Sequence, residues 1–357
     1  MPHIAFVCGD ADGTEYLVPT IIDFKVNADS GFTSVVFSDP EGSGKRVLEE
    51  AGISHCSGGQ FCPDKGPSII VCGTTCKAHN LLRGATQYGH EHHIPVIWCE
   101  DFWATSCDPA VMDIAPDHMI VIDESAAHLV RRNRPSFPLE RIHALGRPDF
   151  DRYATMKKDA RLIRRKVHDS LLIQKGQHLV CFWSTDTSQI NFMEGAEPFL
   201  STIREDPSVV VFAGFHPADQ NKETLKRIVR AVLGKDRVRF QAEFTYEELA
   251  LASLFGVTQF STFGVKASYL GVPMLFLLTP SCQSFLEDGG NEKPYFPLIS
   301  AGACAVAYTE DDVEQETSRL LYNDFFRATL REALKHEFTL PQDATEKVCA
   351  FIRECAQ

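Results

Sequence analysis

Two successive trains of short apolar runs, each run separated from the next by a helical stretch, constrain the fold of this chain more than any other feature. The first train opens with HIAFVCG from His3 and continues with TSVVFSD from Thr33, SIIVCGTT from Ser68, IPVIWCED from Ile94, MIVIDES from Met119 and RIHAL from Arg141. Between the early runs lie GDADGTE, read as a loop, the helical stretch YLVPTIIDFKVNADSG closed by Gly31, and the short helix KRVLEEAGI closed by Gly52. Continuous apolar runs are those of strands covered on both faces. Strands alternating with helices at this spacing imply a parallel sheet with right-handed crossovers.

The pattern pauses at GRPDFD, residues 146–151, where a charged helix running to about Asp169 intervenes. The second train follows: HLVCFWS from His178, VVVFAGF from Val209, RVRFQ from Arg237, LFGVTQFS from Leu254, MLFLL from Met274 and ACAVAY from Ala303, with ETLKRIVRAVLG and YEELALAS as helices between them. An amphipathic helix from about Asp343 to Cys355 closes the chain. A length of 357 residues also exceeds what one core usually organises. The expected class is therefore α/β, with two Rossmann-like domains whose parallel sheets face a central cleft. The expected boundaries are 1–148 for the first domain and 149–342 for the second, with the helix in 343–357 crossing back to the first.

Composition narrows the function classes. Hydrophobic and charged fractions of 44% and 23% exclude disordered, collagen-like and coiled-coil readings. A net charge of −13 argues against a general nucleic-acid binder. One run breaks the acidic average: Arg131, Arg132, Arg134, Arg141, Arg147, Arg152, Lys157, Lys158, Arg161, Arg164, Arg165 and Lys166. It reads first as a solvated helix face, with attraction of an anionic substrate as the alternative. The N-terminal run reads as a strand rather than a signal peptide. No apolar run approaches the roughly eighteen residues of a membrane-spanning helix. A cytoplasmic protein without a transmembrane segment is expected. The twelve cysteines then read as reduced thiols. The Cys- and His-rich segment 55–107, Cys72 and Cys76 included, lacks paired zinc-ligand spacing, so no metal is expected there.

In open parallel sheets, ligands bind beyond the carboxyl ends of the strands. That rule selects GDADGTE, CEDFW, FHPAD and STFGVKASYLGVP. The last sets Ser261, Thr262 and Gly264 where a helix begins, a place that favours an anion, and Lys266 adds a point charge. His216 follows an apolar strand and is suited to phosphate donation or acid–base work, with Pro217 setting the turn. Asp10, Asp12, Glu15, Glu100 and Asp101 are the loop carboxylates on the first-domain side. Glu100, which ends a strand, is the best-placed base, and Asp10 is the second choice. Trp98, Phe102 and Trp103 suit either ring stacking or core packing.

The order of these segments resembles the GT-B superfamily, which includes two-domain glycosyltransferases, UDP-N-acetylglucosamine 2-epimerases and CDP-glycerol glycerophosphotransferases. The resemblance rests on SGFTSVVFSDP with LEEAGI, PSIIVCGTT, IPVIWCEDFW, PDHMIVIDESAAHLV, ERIHALGRPDFD, FHPAD, YEELALAS and STFGVKASYLGVP. It implies a metal-independent, cofactor-free transferase taking a sugar from a phosphate- or diphosphate-activated donor. The diphosphate would lie at Ser261 to Lys266 with His216 beside it, Glu100 or Asp10 would deprotonate the acceptor, and the cleft would close about residues 146–151. The expected partners are a small-molecule sugar donor, an acceptor of unspecified identity and a second copy of the chain. Two departures keep alternatives open. Lys266 stands where nucleotide-sugar enzymes carry a ribose-holding glutamate, and a lysine cannot accept those hydrogen bonds. PVIWCE resembles the epimerases' catalytic segment, but GTT at Gly73 lacks their companion acid. An epimerase or hydrolase of a nucleotide sugar, and a non-catalytic binding protein, are the rival expectations.

Overall fold

A computed structural model describes every residue except 27–30, 76–77, 186–189, 217–218, 220, 289–292 and 339–341. The chain divides into two compact units, Met1–Arg152 with Leu340–Gln357, and Tyr153–Thr339. The first break thus falls a few residues after the GRPDFD segment begins, and the terminal helix is counted with the first unit.

The first unit holds a seven-stranded, wholly parallel sheet. Its strands are β1 (His3–Cys8), β2 (Thr33–Ser38), β3 (Cys56–Ser57), β4 (Ile69–Gly73), β5 (Val96–Cys99), β6 (His118–Val121) and β7 (Ile142–Ala144), in the order β3-β2-β1-β4-β5-β6-β7. Phe6 of β1 pairs with Val36 on one side and Val71 on the other. Every residue of β4 is buried, as a strand covered on both faces requires. The helices are α1 (Ala11–Val26), α2 (Gly44–Glu50), α3 (His79–His92) and α4 (Glu124–Asn133), followed by α5 (Asp151–Lys158) at the break between units.

The second unit holds a six-stranded parallel sheet of β8 (His178–Trp183), β9 (Val209–Gly214), β10 (Val238–Arg239), β11 (Phe255–Thr258), β12 (Met274–Leu277) and β13 (Ala305–Ala307), ordered β10-β9-β8-β11-β12-β13. Its helices are α6 (Ala160–Ser170), α7 (Phe192–Arg204), α8 (Lys222–Leu233), α9 (Tyr246–Ala252), α10 (Thr262–Tyr269), α11 (Pro280–Asp288), α12 (Pro297–Ser300), α13 (Glu310–Tyr322) and α14 (Asp324–Glu337). α15 (Ala344–Cys355) ends the chain, and its Val348, Cys349 and Ile352 sit in the same core as Phe6, Leu17 and Val71. The second core gathers Val180, Phe199, Val211, Phe255, Leu275 and Leu320. The fold class is α/β, two Rossmann-like units with parallel sheets. No helix among the described residues is long and apolar enough to cross a membrane.

The structure corrects two local expectations and adds one strand. GDADGTE is not a loop throughout: α1 begins at Ala11, because Asp10 Oδ1 accepts the Gly13 N–H at 3.1 Å and the Asp10 carbonyl accepts that of Thr14 at 3.1 Å. Asp12 and Glu15 are consequently helical. The charged helix is two helices, α5 and α6, interrupted at Asp159, a residue type with poor helix propensity. The two-residue edge strand β3 has no apolar run to announce it, and both its residues are exposed.

Candidate functional site

Each sheet reverses its strand order once, between β1 and β4 in the first unit and between β8 and β11 in the second. At such a switch point the loops leave in opposite directions and open a crevice at the carboxyl edge. In the first unit that crevice is bordered by Gly9–Asp10 and Gly73–Thr75. α1 comes so close to the end of β4 that a Cβ on Gly13 would lie 2.3 Å from the Thr74 carbonyl oxygen, and one on Gly73 would lie 2.5 Å from that of Gly13. Two glycines therefore set the spacing of this edge.

Beside the crevice, the end of β5 carries two consecutive buried carboxyls, Glu100 and Asp101, which are 1% and 3% exposed. Ser106 donates both its backbone N–H (3.2 Å) and its hydroxyl (2.7 Å) to Glu100 Oε1. Glu100 Oε2 is buried without a hydrogen-bond partner among the described residues. Burial pushes the Glu100 carboxyl up to about 8; the Ser106 bonds oppose the shift, and the Asp101 charge adds to it. Asp101 Oδ1 accepts the hydroxyls of Thr74 (2.5 Å) and Thr105 (2.8 Å). Burial, and then the charges of Asp10 and Asp12, push its carboxyl up to about 7.

The countercharge is Arg147. Its guanidinium is held by Asp149, Nε to Oδ1 at 2.7 Å and Nη2 to Oδ2 at 3.1 Å, and it also donates to the main-chain oxygens of Asp101 and Asp12. Burial works against its charge. Asp149, helped by Asp12 and Asp101, outweighs that penalty and keeps it protonated beyond the ordinary arginine range. The arrangement is an acid pair that retains a proton near neutral pH beside a fixed cation, a setting suited to proton transfer.

In the second unit, β8 lies between β9 and β11, so the loops carrying His216 and Ser261 leave on either side of it. The loop after β8 ties them together. Ser184 Oγ accepts the His216 N–H at 3.3 Å, and the Thr185 N–H donates to Gln259 Oε1 at 3.2 Å. Ser261 caps α10, its Oγ accepting the Phe263 N–H at 3.3 Å, while its carbonyl takes the Gly264 N–H at 2.9 Å. The first turn is thus partly satisfied from within. Thr262 begins the helix, and Lys266 lies in its interior, only 8% exposed. Among the described residues, three buried polar atoms at this edge have no hydrogen-bond partner: Trp183 Nε1, Thr258 Oγ1 and Gln259 Nε2. Such atoms are costly to leave unpaired.

Several sequence-level readings change here. The missing Cβ of Gly264 serves helix–sheet packing, since a methyl there would lie 2.8 Å from Thr258 Cγ2 and 2.9 Å from Phe276 Cε1. Asp10 spends a carboxylate oxygen on the α1 cap. Trp98 has no exposed face to stack on a ligand: it is fully buried and donates Nε1–H to Thr86 Oγ1 at 3.0 Å. Two members of the basic run are interior groups, Arg147 and Arg134. Arg134 donates to the carbonyls of Ser106, Ile114 and Val111, each at 2.8 Å. Pro217 and Cys76 lie outside the described residues, and no group of three or more metal-ligating side chains is assembled among those described. The sequence reading missed Ser106, and it missed Arg147 with Asp149 as site elements. The only local signal was an arginine two residues before an aspartate in a turn.

No protein-family model matches the sequence, and no curated protein does. Solved structures do match, over essentially the whole chain. The S. aureus MnaA–UDP co-structure is 16% identical, covers 99% of this chain and 96% of its own, and has a TM-score of 0.68. UDP-GlcNAc 2-epimerase from Neisseria meningitidis bound to UDP-GlcNAc is 12% identical, with 99% and 100% coverage and a TM-score of 0.65. Anabaena Alr3699/HepE in complex with UDP and glucose is 14% identical, with 99% coverage of both chains and a TM-score of 0.58. The likeness is one of fold, and that fold is the GT-B arrangement of two parallel-sheet domains.

Proposed function

We propose that this chain is an enzyme acting on a nucleotide-activated sugar, and that it transfers the sugar to an acceptor hydroxyl. The observation that carries the reading is the Glu100 carboxyl, buried at a strand end, with Oε1 fixed by Ser106 and Oε2 unpartnered. Burial pushes that carboxyl up to about 8, so its ionised form is a stronger base than an ordinary carboxylate and its share grows as pH rises toward 8. In the step, the acceptor oxygen forms a bond to the anomeric carbon as the bond to the diphosphate oxygen breaks. The acceptor proton passes to Glu100, and the nucleotide leaves as its diphosphate. Donor binding is assigned to the second unit: the α10 N-terminus at Ser261 and Thr262, Lys266, His216, and the unsatisfied Trp183 and Gln259 donors. This assignment is supported by the nucleotide and nucleotide-sugar complexes of structures with the same fold. The reaction as written calls for no metal and no organic cofactor.

One observation favours a second reading, epimerisation or hydrolysis of the nucleotide sugar. Asp101 stands next to Glu100 with its own carboxyl pushed up to about 7, so two groups are available to remove and return a proton. The deciding experiment is product analysis after incubation with UDP-GlcNAc and UDP-glucose, with and without simple sugar acceptors. Acceptor-dependent UDP release supports transfer. An altered sugar without acceptor supports epimerisation, and free UDP without acceptor supports hydrolysis. Failure to consume or bind either compound overturns all three.

A further inference from the structure

The second unit contains a pocket that the proposed reaction does not use. It lies at the amino-terminal ends of β11 and β12, the opposite edge of the sheet from Ser261, where Leu251 and Ser253 lead into one strand and Gly271–Pro273 lead into the other. Lys157, Arg164 and Arg331, from α5, α6 and α14, line a cavity of about 200 Å³ there, and no carboxylate is among its lining residues. Arg164 Nη2 touches the Leu251 and Ser253 carbonyls at 3.4 and 3.5 Å, and the rest of its N–H fork makes no hydrogen bond among the described residues. Arg331 is pushed below its ordinary range by burial and by the charges of Arg327 and Arg164, with only Asp324 opposing. Burial also lowers Lys157. Arg331 and Arg164 repel each other at this cavity, Lys157 adds a third cation to its lining, and an acidic chain with a net charge of −13 places no carboxylate among the described lining residues.

We infer that this pocket binds a phosphate-type dianion, either inorganic phosphate or the phosphoryl group of a small phosphomonoester. Two guanidinium forks and an ammonium match the charge and the tetrahedral oxygens of such a group. The cavity has room for it with a small substituent. The site is separate from the nucleotide-sugar reading and stands whether or not that reading holds.

The test is calorimetric titration of the full chain with inorganic phosphate, and separately with glycerol phosphate, at ionic strength held constant with chloride. Wild type and Lys266→Ala are both titrated, so that phosphate held at the proposed donor site is told apart from phosphate held here. Arg331→Gln and Lys157→Gln are each expected to weaken binding about tenfold, while Lys266→Ala retains it. Lys157 lies in the last turn of α5, where Gln forms helix about as well as Lys, so its variant keeps the test decisive if Arg331→Gln fails to fold. Tighter binding of glycerol phosphate than of phosphate assigns the site to a phosphomonoester, and the reverse assigns it to the free ion. Equal binding by wild type and both pocket variants overturns the inference, as does loss of all phosphate binding in Lys266→Ala.

Discussion

Ser106 donates twice to one oxygen of Glu100 and leaves the other without a partner. That asymmetry fixes the carboxyl's orientation while keeping Oε2 for chemistry. Replacing Glu100 by Gln preserves the shape and an acceptor for Ser106 but removes the base. Turnover is expected to fall by about 10² to 10⁴ with little change in donor affinity. A Glu100→Gln enzyme with unaltered kcat sinks the catalytic assignment.

The same carboxyl makes stability depend on pH. Its folded value near 8 lies above its ordinary 4.5, so the native chain holds the extra proton between those limits. The Glu100 contribution is fully present below about pH 4.5 and is lost as pH rises through 8. Chemical denaturation of Glu100→Gln is expected to show a flatter dependence across that range and to exceed wild type at pH 9. Parallel curves for the two proteins contradict the burial argument.

Arg147 is expected to be irreplaceable for the fold of the first unit. Truncation to Ala strands Asp149 and removes the donors to the Asp101 and Asp12 carbonyls, at a cost of about 3–5 kcal/mol. Lys keeps the charge but cannot make the two-point contact with Asp149, and it should recover only part of the loss. Urea unfolding of the two variants measures both. Equal stability of wild type and Arg147→Ala refutes the claim.

The glycines rank by what they touch. A Cβ on Gly13 meets a backbone oxygen, which cannot move aside, whereas one on Gly264 meets the side chains of Thr258 and Phe276. Gly264→Ala should cost about 1–3 kcal/mol, and Gly13→Ala should cost more. Thermal melts of the pair give the order directly, and the reverse ranking counts against the close approach of α1 and β4.

His118 and His143 form a pair, Nδ1 to Nε2 at 3.2 Å, against the Phe351 ring of α15. Burial lowers both values; Arg141 adds to the effect on His118 and His118 to that on His143, while Asp117 and Glu354 oppose for His118 and Glu354 for His143. Neutral rings are therefore favoured when α15 is docked. This contribution is complete above the ordinary histidine value of 6.5 and declines as pH falls below it. Hydrogen exchange of α15 amides should accelerate between pH 7 and 5.5, beyond the intrinsic rate change, and His143→Phe should suppress that acceleration.

The two trains of apolar runs made both sheets legible, because a strand covered on both faces must be apolar throughout, as Ile69–Gly73 is. β3 was not legible, since an exposed edge strand of two residues obeys no such rule. At the site, Glu100 could be picked out because it ends an apolar strand. Its partner Ser106 lies six residues on, in a 3₁₀ turn whose shape nothing in the local pattern dictates. Arg147 was counted among solvated charges, because its burial depends on Asp149 and on carbonyls far away in sequence. Gly264 was read for its backbone when its neighbours, Thr258 and Phe276, decide the matter.

The placement of α15 carries a consequence for how the chain is made. Residues 153–339 form one unit, while the other is completed by a segment synthesised after them. Asp151 must wait for Ala344 and Thr345, whose N–H groups its two carboxylate oxygens accept at 2.9 Å, and Asp23 must wait for Arg353. On the ribosome the inserted unit can finish first, and the outer one remains open along its α1 flank until the last helix emerges. For that interval the exposed apolar surface around Leu17 and Ile21 is the segment a chaperone would have to shield.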